Sequence, residues 1–459
     1  KGGMGATSSG VRIPLSPPMA FITRNLPVTE FSFVSSKINK KRSSVTFTYK
    51  VTFKHGLFKT FTDKFFFSDI LPSDWEKIPP QTLARTLESL HIIAGINYWS
   101  VFPTKNISLP QYALTKQQAT FWNEVYTLGL AEYFYLLNID FRDLIAFPFT
   151  RAETDVEPIS AKTAAGASRA LVLNGAGKDS ILSAELLKER GIAFDYFTFS
   201  PSPAHKRVSA LAGVNMLTVT RKRDQWIIAL TSSNSYPSVT LFTFVALLLA
   251  QLRDYDTIIF SNEKSADIGN FDYLGVPVNH QWCKSSECEH LINDYIKSYI
   301  TQDIKTYSLL RGFSELEIVE KFVQHKKYLP QVTSCNAYFW LPTIEQRLRK
   351  SSYWCCRCPK CAFLFACFSA YLTKKELVAM FGGNLYENKK LIPLFKRTLG
   401  VEWTKPLDCV GEPAEMIMAM HRAEMGMEYD TTPVMRMFKE HFPETYDFDS
   451  LKPLAFNGS

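Results

Sequence analysis

Leu171-Val172-Leu173-Asn174-Gly175-Ala176-Gly177-Lys178-Asp179-Ser180 decides how the rest of the chain is read. The apolar run suits a buried strand, and the small residues after it suit a tight loop. Ile181 to Arg190 continues with amphipathic helical spacing, which puts Asp179 and Ser180 at an N-cap and first turn. Open N–H groups and the dipole of such a helix start favour an anion. Gly175, Ala176 and Gly177 let the backbone close on phosphate oxygens, since no side chain beyond a methyl group intervenes. Lys178 supplies countercharge, and Asp179 can hold Mg²⁺ with waters and substrate phosphates as the other ligands. The spacing is not the Gly-x4-Gly-Lys-Ser/Thr of a Walker loop.

The stretch resembles the Ser-Gly-Gly-x-Asp-Ser loop of the PP-loop ATP pyrophosphatases, with Gly175 in place of the Ser and Ala176 in place of the first Gly. That resemblance implies an enzyme that splits ATP into AMP and pyrophosphate. The plain alternative is a Gly-rich strand-to-helix turn without a ligand.

Outward from the loop, strands and helices alternate. Strands are expected at Ala170 to Leu173, Ala193 to Phe199, Met216 to Thr220 and Thr257 to Phe260. Helices are expected at Ser180 to Arg190, Ala204 to Leu211 and Thr240 to Asp254. Short connections between them predict an α/β fold, a doubly wound parallel sheet whose ligands sit at the carboxyl ends of the strands. Gly175 to Ser180 is one polar cluster at such an end, and Ser261-Asn262-Glu263-Lys264-Ser265 is a second. Asn270 to Val278 reads as a loop, and His280-Gln281-Trp282-Cys283-Lys284 after it suits a ligand cover as well as a structural loop. Tyr307 to Arg311 reads as a helix giving way to Gly312, with Arg311 able to bind a carboxylate or phosphate bidentately.

Upstream, Glu30 to Val34, Ser44 to Phe53 and Phe58 to Phe67 alternate with period two and predict an antiparallel meander. Ser73 to Trp99 and Thr115 to Asn138 carry helical periodicity, with Ser73 and Thr115 as N-caps. His91, Glu124 and Glu132 inside them read as structural, while Asn97-Tyr98-Trp99 at a helix end could face a ligand. The expected organisation is a flexible start or expression remnant at 1–23, an N-terminal α+β domain at 24–150, a linker at 151–168, a PP-loop nucleotide-binding domain at 169–310 and a zinc-containing C-terminal region at 311–459.

A chain of 459 residues with 46% hydrophobic and 21% charged residues can bury more than one core. Its net charge of +8 is modest for that length and suits a soluble surface better than a nucleic-acid partner. Val239 to Ala250, the longest apolar run, is shorter than the roughly 20 residues that span a bilayer. With no secretory signal at the start, a cytoplasmic protein without a membrane partner is expected.

Cys355-x2-Cys358-x2-Cys361 plus the distant Cys335 makes a four-thiolate set of the kind that closes a structural zinc site. Cys356 breaks the spacing and reads as a spectator; Cys367, on an apolar run, reads as core. Loop and cysteine set together are similar to the 7-cyano-7-deazaguanine synthases, but the first 150 residues and the segment after Thr373 are extra.

From the Phe31 strand to Glu412 the chain more closely resembles the ATP-dependent epimerases of UDP-N-acetylmuramoyl-L-alanyl-L-glutamate. The stretches that carry this are Leu90 to Gly95, Gly175 to Ser180, Phe260 to Ala266, Val278 to Trp282 and Tyr307 to Arg311. Ser334-Cys335-Asn336, Trp354-Cys355, Cys358 to Cys361 and Cys409-Val410-Gly411-Glu412 follow in order. The resemblance implies inversion of the terminal L-Glu of a peptidoglycan precursor with ATP, Mg²⁺ and structural zinc. Asn174 to Ser180 with Ser261 and Asn262 then hold the nucleotide, Lys178 and Asp179 serve the chemistry, and Glu263, Asp267 and His280 are acid/base candidates. Lys264, Gln281 and Arg311 are candidates for the UDP-linked muramoyl dipeptide. Two other readings stay open: a PP-loop adenylylating enzyme that makes an amide, nitrile or thiolated product, with Cys283 or Cys409 as its nucleophile, and a non-catalytic zinc module that binds nucleotide or RNA.

Overall fold

The computed structural model describes residues 27–155, 159, 168–230, 236–339, 345, 352–402 and 405–452. The expected flexible start at 1–23 and most of the expected linker at 151–168 lie outside the described residues. The fold is mixed α/β around one nine-stranded sheet, ordered β11-β8-β5-β6-β7-β3-β2-β1-β4. In chain order the strands are β1 (Val28–Asn39), β2 (Ser44–Phe53), β3 (Phe58–Phe67), β4 (Ile107–Ser108), β5 (Ala170–Leu173), β6 (Phe194–Phe199), β7 (Met216–Arg223), β8 (Thr257–Phe260), β9 (Phe271–Tyr273), β10 (Val276–Val278) and β11 (Lys305–Ser308).

The meander forms as its alternation predicts. Val45, Phe47, Tyr49, Val51 and Phe53 of β2 turn inward, as do Phe61 and Phe65 of β3. The Pro80–Trp99 helix packs on that face, and Gly95 lets it approach, since a Cβ there would lie 2.3 Å from Phe33 Cε1. This helix starts at Pro80, not at Ser73: Pro72 to Glu76 makes a separate 3-10 turn. Pro79 before Pro80 is barred from helical backbone, so the periodic run breaks there. Asn97, Tyr98 and Trp99 are buried in this core and do not face a ligand.

β5, β6, β7, β8 and β11 run parallel. After β7 the chain crosses back to the other side of β5, so a topological switch point lies between β5 and β8. The meander is not a sheet of its own: β3 pairs antiparallel with β7, from Asp63 opposite Arg223 to Phe67 opposite Val219. Helices Pro80–Trp99, Ser238–Arg253 and Ser286–Tyr299 bury one face of the sheet. On the other face lie Lys178–Glu189, Pro203–Ala212, Glu315–Phe322 and the C-terminal helices Pro359–Ser369, Pro413–Met425 and Pro433–His441. No described helix is long and apolar enough to cross a membrane.

Two local expectations change. Phe271 to Val278 is a β-hairpin turning at Leu274-Gly275, both at positive φ, rather than a loop. Lys305 to Ser308 is an edge strand with alternating burial, not the end of a helix.

Candidate active site

The phosphate-type loop leaves β5 at Asn174. Asn174 Oδ1 accepts the Ala176 N–H at 2.8 Å and holds Ala176 at φ +57, so the backbone bends sharply before the helix. The helix itself is Lys178–Glu189, and its N-cap is Gly177 rather than Asp179. Gly177 caps without a side chain, which leaves the first-turn N–H groups open to an anion. Ser334 closes over it, because a Cβ on Gly177 would sit 2.7 Å from Ser334 Oγ. The Thr333 N–H reaches Ala176 O at 3.4 Å, so the segment beside Cys335 forms one wall of the loop.

Lys178 does not extend into the open space. It is buried, and its ammonium pairs with both Asp179 and Glu315. Glu415 lies behind this group, its oxygens accepting the Glu315 N–H at 2.6 Å and the Glu412 N–H at 2.5 Å. Burial pushes Glu315 up to about 7 against the pull of Lys178, and burial with Glu315 nearby pushes Glu415 up to about 8. Both carboxyls start from 4.5, so their contribution to stability is present below that pH and is lost as pH rises toward 7 and 8. Raising pH from about 5 to about 8 is therefore expected to lower the unfolding midpoint less in a Glu415→Gln variant than in the parent, as read by thermal denaturation at the two pH values. Equal slopes would contradict this.

At the end of β8, Ser261 Oγ lies 2.8 Å from Ser183 Oγ, and Asn262 Nδ2 donates to Ser308 Oγ at 2.9 Å. Glu263 is buried, and its carboxylate acts electrostatically on both Lys284 and Glu315. Asp267 is turned away: its two oxygens accept the Ser286 N–H at 2.6 Å and the Ser286 hydroxyl at 3.0 Å, at the start of the Ser286–Tyr299 helix. Arg311 ties loops together, donating to Glu263 O at 3.0 Å, Lys284 O at 2.7 Å and Glu289 Oε2 at 3.0 Å. Lys264 is exposed, and its N–H bonds Phe313 O.

The hairpin delivers His280 to a group that spans the chain. His280 Nδ1 lies 2.6 Å from Glu132 Oε2, and the ring also hydrogen-bonds the Cys409 thiol. Lys284 Nζ donates to Cys409 Sγ at 3.2 Å and to Gln281 Oε1 at 3.2 Å, while Gln281 Nε2 holds Val410 O at 3.3 Å. Burial works against a charged ring, yet the bonds to Cys409 and Glu132 lift His280 to about 10. Burial would likewise raise the Cys409 thiol, but Lys284, Lys360 and His280 outweigh it and bring it down to about 6. Glu132, read from sequence as structural, thus belongs to the site. A helical glutamate gives no sequence sign of a partner 148 positions away.

Cys335, Cys355, Cys358 and Cys361 converge with their sulfurs within 4.8 Å of one another. Tetrahedral bonds of about 2.3 Å to zinc require sulfurs about 3.8 Å apart, and Cys355 Sγ lies 3.7 Å from Cys361 Sγ. The set therefore fits a zinc ion. Cys356 points elsewhere, toward Phe381 O at 3.2 Å, and Cys367 is buried in the core. Asn336, next to Cys335, donates to Asp408 Oδ1 at 3.2 Å, so Ser334-Cys335-Asn336 links the phosphate-type loop, the thiolate set and the Cys409 segment.

Two family models match the chain: the MurL N-terminal domain over residues 23–309 and the MurL C-terminal domain over 331–452. A UDP-N-acetyl-alpha-D-muramoyl-L-alanyl-L-glutamate epimerase from a Micromonospora species is 30% identical over 434 residues, 90% of this chain and 91% of the relative. A protein of the same name from Xanthomonas oryzae pv. oryzae is 29% identical over 77% of this chain and 78% of its own. Among solved structures, a predicted subunit of tRNA methyltransferase from Methanocaldococcus jannaschii aligns at 18% identity and a TM-score of 0.23, over 34% of this chain and 75% of that one.

Proposed function

The chain belongs to the MurL family, and from that premise we propose that it is an ATP- and Mg²⁺-dependent epimerase converting the terminal L-Glu of UDP-N-acetylmuramoyl-L-alanyl-L-glutamate to D-Glu, in the synthesis of a peptidoglycan precursor. The observation that carries the ATP requirement is the loop at Gly175 to Gly177, bent at Ala176 and opening onto uncapped N–H groups at a parallel-strand end. ATP and UDP-linked precursors share the cytoplasm, which is where this reaction belongs.

An α-proton beside an ionised carboxylate resists removal, because a second negative charge develops next to the first. Transfer of AMP from ATP to that carboxylate, with pyrophosphate leaving, removes the charge and makes an acyl group able to stabilise an enolate; after inversion, water cleaves the acyl–AMP bond and releases AMP and the free carboxylate. Asn174 shapes the loop, and the N–H groups of Gly177 to Ser180 bind phosphate oxygens. Ser261 and Asn262, at the neighbouring strand end, complete the nucleotide site. A magnesium ion, when bound, offsets phosphate charge, and Asp179 is the residue to hold it. Lys178 follows the anions: paired with Asp179 and Glu315 as seen here, it is within reach of a phosphate that displaces Asp179.

Proton transfer falls to the opposite side of the same strand ends. Glu263 fits that task, and His280 serves it through the Glu132 and Cys409 groups beside its ring, whereas the oxygens of Asp267 are taken by Ser286. Lys264 and Gln281 border the substrate, and Arg311 braces the loops that receive it. An Asp179→Ala variant is expected to lose AMP formation from ATP and the L-Glu precursor. Full turnover by that variant, measured as AMP released, would remove the loop from the mechanism.

A further inference from the structure

The sulfur of Cys409 has more partners than a structural cysteine requires. The His280 ring nitrogen, an Asp408 oxygen and Cys409 Sγ lie within 4.8 Å of one another, Lys284 Nζ stands 3.2 Å from the sulfur, and Glu132 anchors the far side of the ring. Cys409 is half-buried, and the His280 side chain keeps 22% of its surface exposed, so the group is reachable. A cavity of about 310 Å³ is lined not by these residues but by near neighbours of theirs in the chain, among them Tyr135, Phe271, Lys405 and Leu407, with Arg397. Tyr135 is three residues beyond Glu132, Phe271 follows the Asn270 that holds the His280 N–H, and Lys405 to Leu407 lead into Cys409. Its Arg397 cation suits an anionic substrate, while Lys405 there is paired with Glu412 Oε1 at 2.7 Å.

Resting on the epimerase reading, we propose that the Cys409 sulfur is a catalytic residue that exchanges the Cα proton of the substrate glutamate on one face, with His280, Glu132 and Lys284 positioning it. The Cα–H bond breaks, the proton goes to sulfur, and the electron pair enters the AMP-activated carboxyl as an enolate. The opposite face takes its proton from a second acid, the role given above to Glu263; water then carries the proton from sulfur to Glu263 and resets both. A thiolate suits this task because the Lys284 ammonium 3.2 Å away favours its anionic form, ready to take a proton, and half-burial leaves it poorly hydrated. The charged and titratable groups around it are Lys284, Lys360, His280, Asp408 and Cys283.

In D₂O with ATP, Mg²⁺ and the L-Glu precursor, a Cys409→Ser variant is expected to lose Cα deuterium incorporation by about 10²–10⁴-fold. Its precursor-dependent exchange of pyrophosphate into ATP should stay within about threefold of the parent. Deuterium incorporation at the parental rate overturns the proposal. A parent that shows neither pyrophosphate exchange nor D-Glu overturns the epimerase reading instead. If the serine variant does not fold, alkylation of the parent decides: iodoacetamide mapped to Cys409 at pH 7 should stop deuterium incorporation and spare pyrophosphate exchange. Deuterium incorporation that survives Cys409 alkylation overturns the proposal. A Lys284→Met variant should move the pH midpoint of Cys409 alkylation upward, and an unmoved midpoint removes Lys284 from the positioning set.

Discussion

A Cys358→Ser variant is expected to lose one bound zinc per chain and about 4 kcal/mol or more of stability, as read by metal analysis and thermal unfolding. The substitution is clean because Cys358 has two jobs. Its sulfur joins the four-thiolate set, and it also caps the Pro359–Ser369 helix by accepting the Cys361 N–H. Serine is among the best N-caps, so the cap survives and the loss isolates the metal. The cost is large because that helix is a buried strut: Phe363, Leu364, Phe365 and Phe368 are all in the core. The effect should also reach the Gly175 to Gly177 loop, since Cys335 sits next to the Ser334 that closes over Gly177. Unchanged zinc content in the variant would contradict the four-thiolate site.

An Arg221→Met variant is expected to lose about 3–5 kcal/mol, because it strands a buried carboxylate. Arg221 on β7 meets Asp63 on β3 with side-chain exposures of 4% and 0%. Its guanidinium donates Nε to both Asp63 oxygens at 3.1 and 3.0 Å, and also reaches Asn97 Oδ1 at 2.7 Å and Ala94 O at 3.1 Å. One side chain thus joins the meander, the Pro80–Trp99 helix and the parallel strands. Burial holds Asp63 above the usual carboxylate range even with Arg221 beside it, which marks how little solvent is present to take over that role. A second change, Asp63→Asn, should restore part of the loss, and a chemical-denaturation midpoint unaltered in Arg221→Met would contradict the bridge.

The parts of the fold written in local pattern were legible. Period-two alternation marked β2 and β3 to their observed ends, and Thr115 caps its helix with Gln118 as a capping box. The strand and helix alternation after Ala170 anticipated the parallel half of the sheet. What stayed hidden depends on pairing across the chain. The β3–β7 junction is set by Asp63 and Arg221, which are 158 positions apart and carry no common signature. The Leu274-Gly275 turn made β9 and β10 look like a loop because each strand has only three residues. In the site, the bend at Gly175 to Gly177 and the Cys355, Cys358 and Cys361 spacing were readable because each lies in one short segment. The convergence of Glu132, His280, Lys284 and Cys409 was not, because its members come from three distant stretches: His280 and Cys409 stood out singly as candidates, while Glu132 read as structural. Lys178 was read toward phosphate; its pairing with Glu315, 137 positions downstream, is visible only in the fold.

In the proposed function, this site couples ATP cleavage to inversion at a glutamyl α-carbon. The direct measurement incubates the full chain with UDP-N-acetylmuramoyl-L-alanyl-L-glutamate, with and without ATP and Mg²⁺, then hydrolyses the product and separates its glutamate enantiomers while AMP is quantified. D-Glu appearing only when ATP is present, together with AMP, is the predicted result. D-Glu formed equally without ATP, or AMP formed with the glutamate left wholly in the L form, would contradict it.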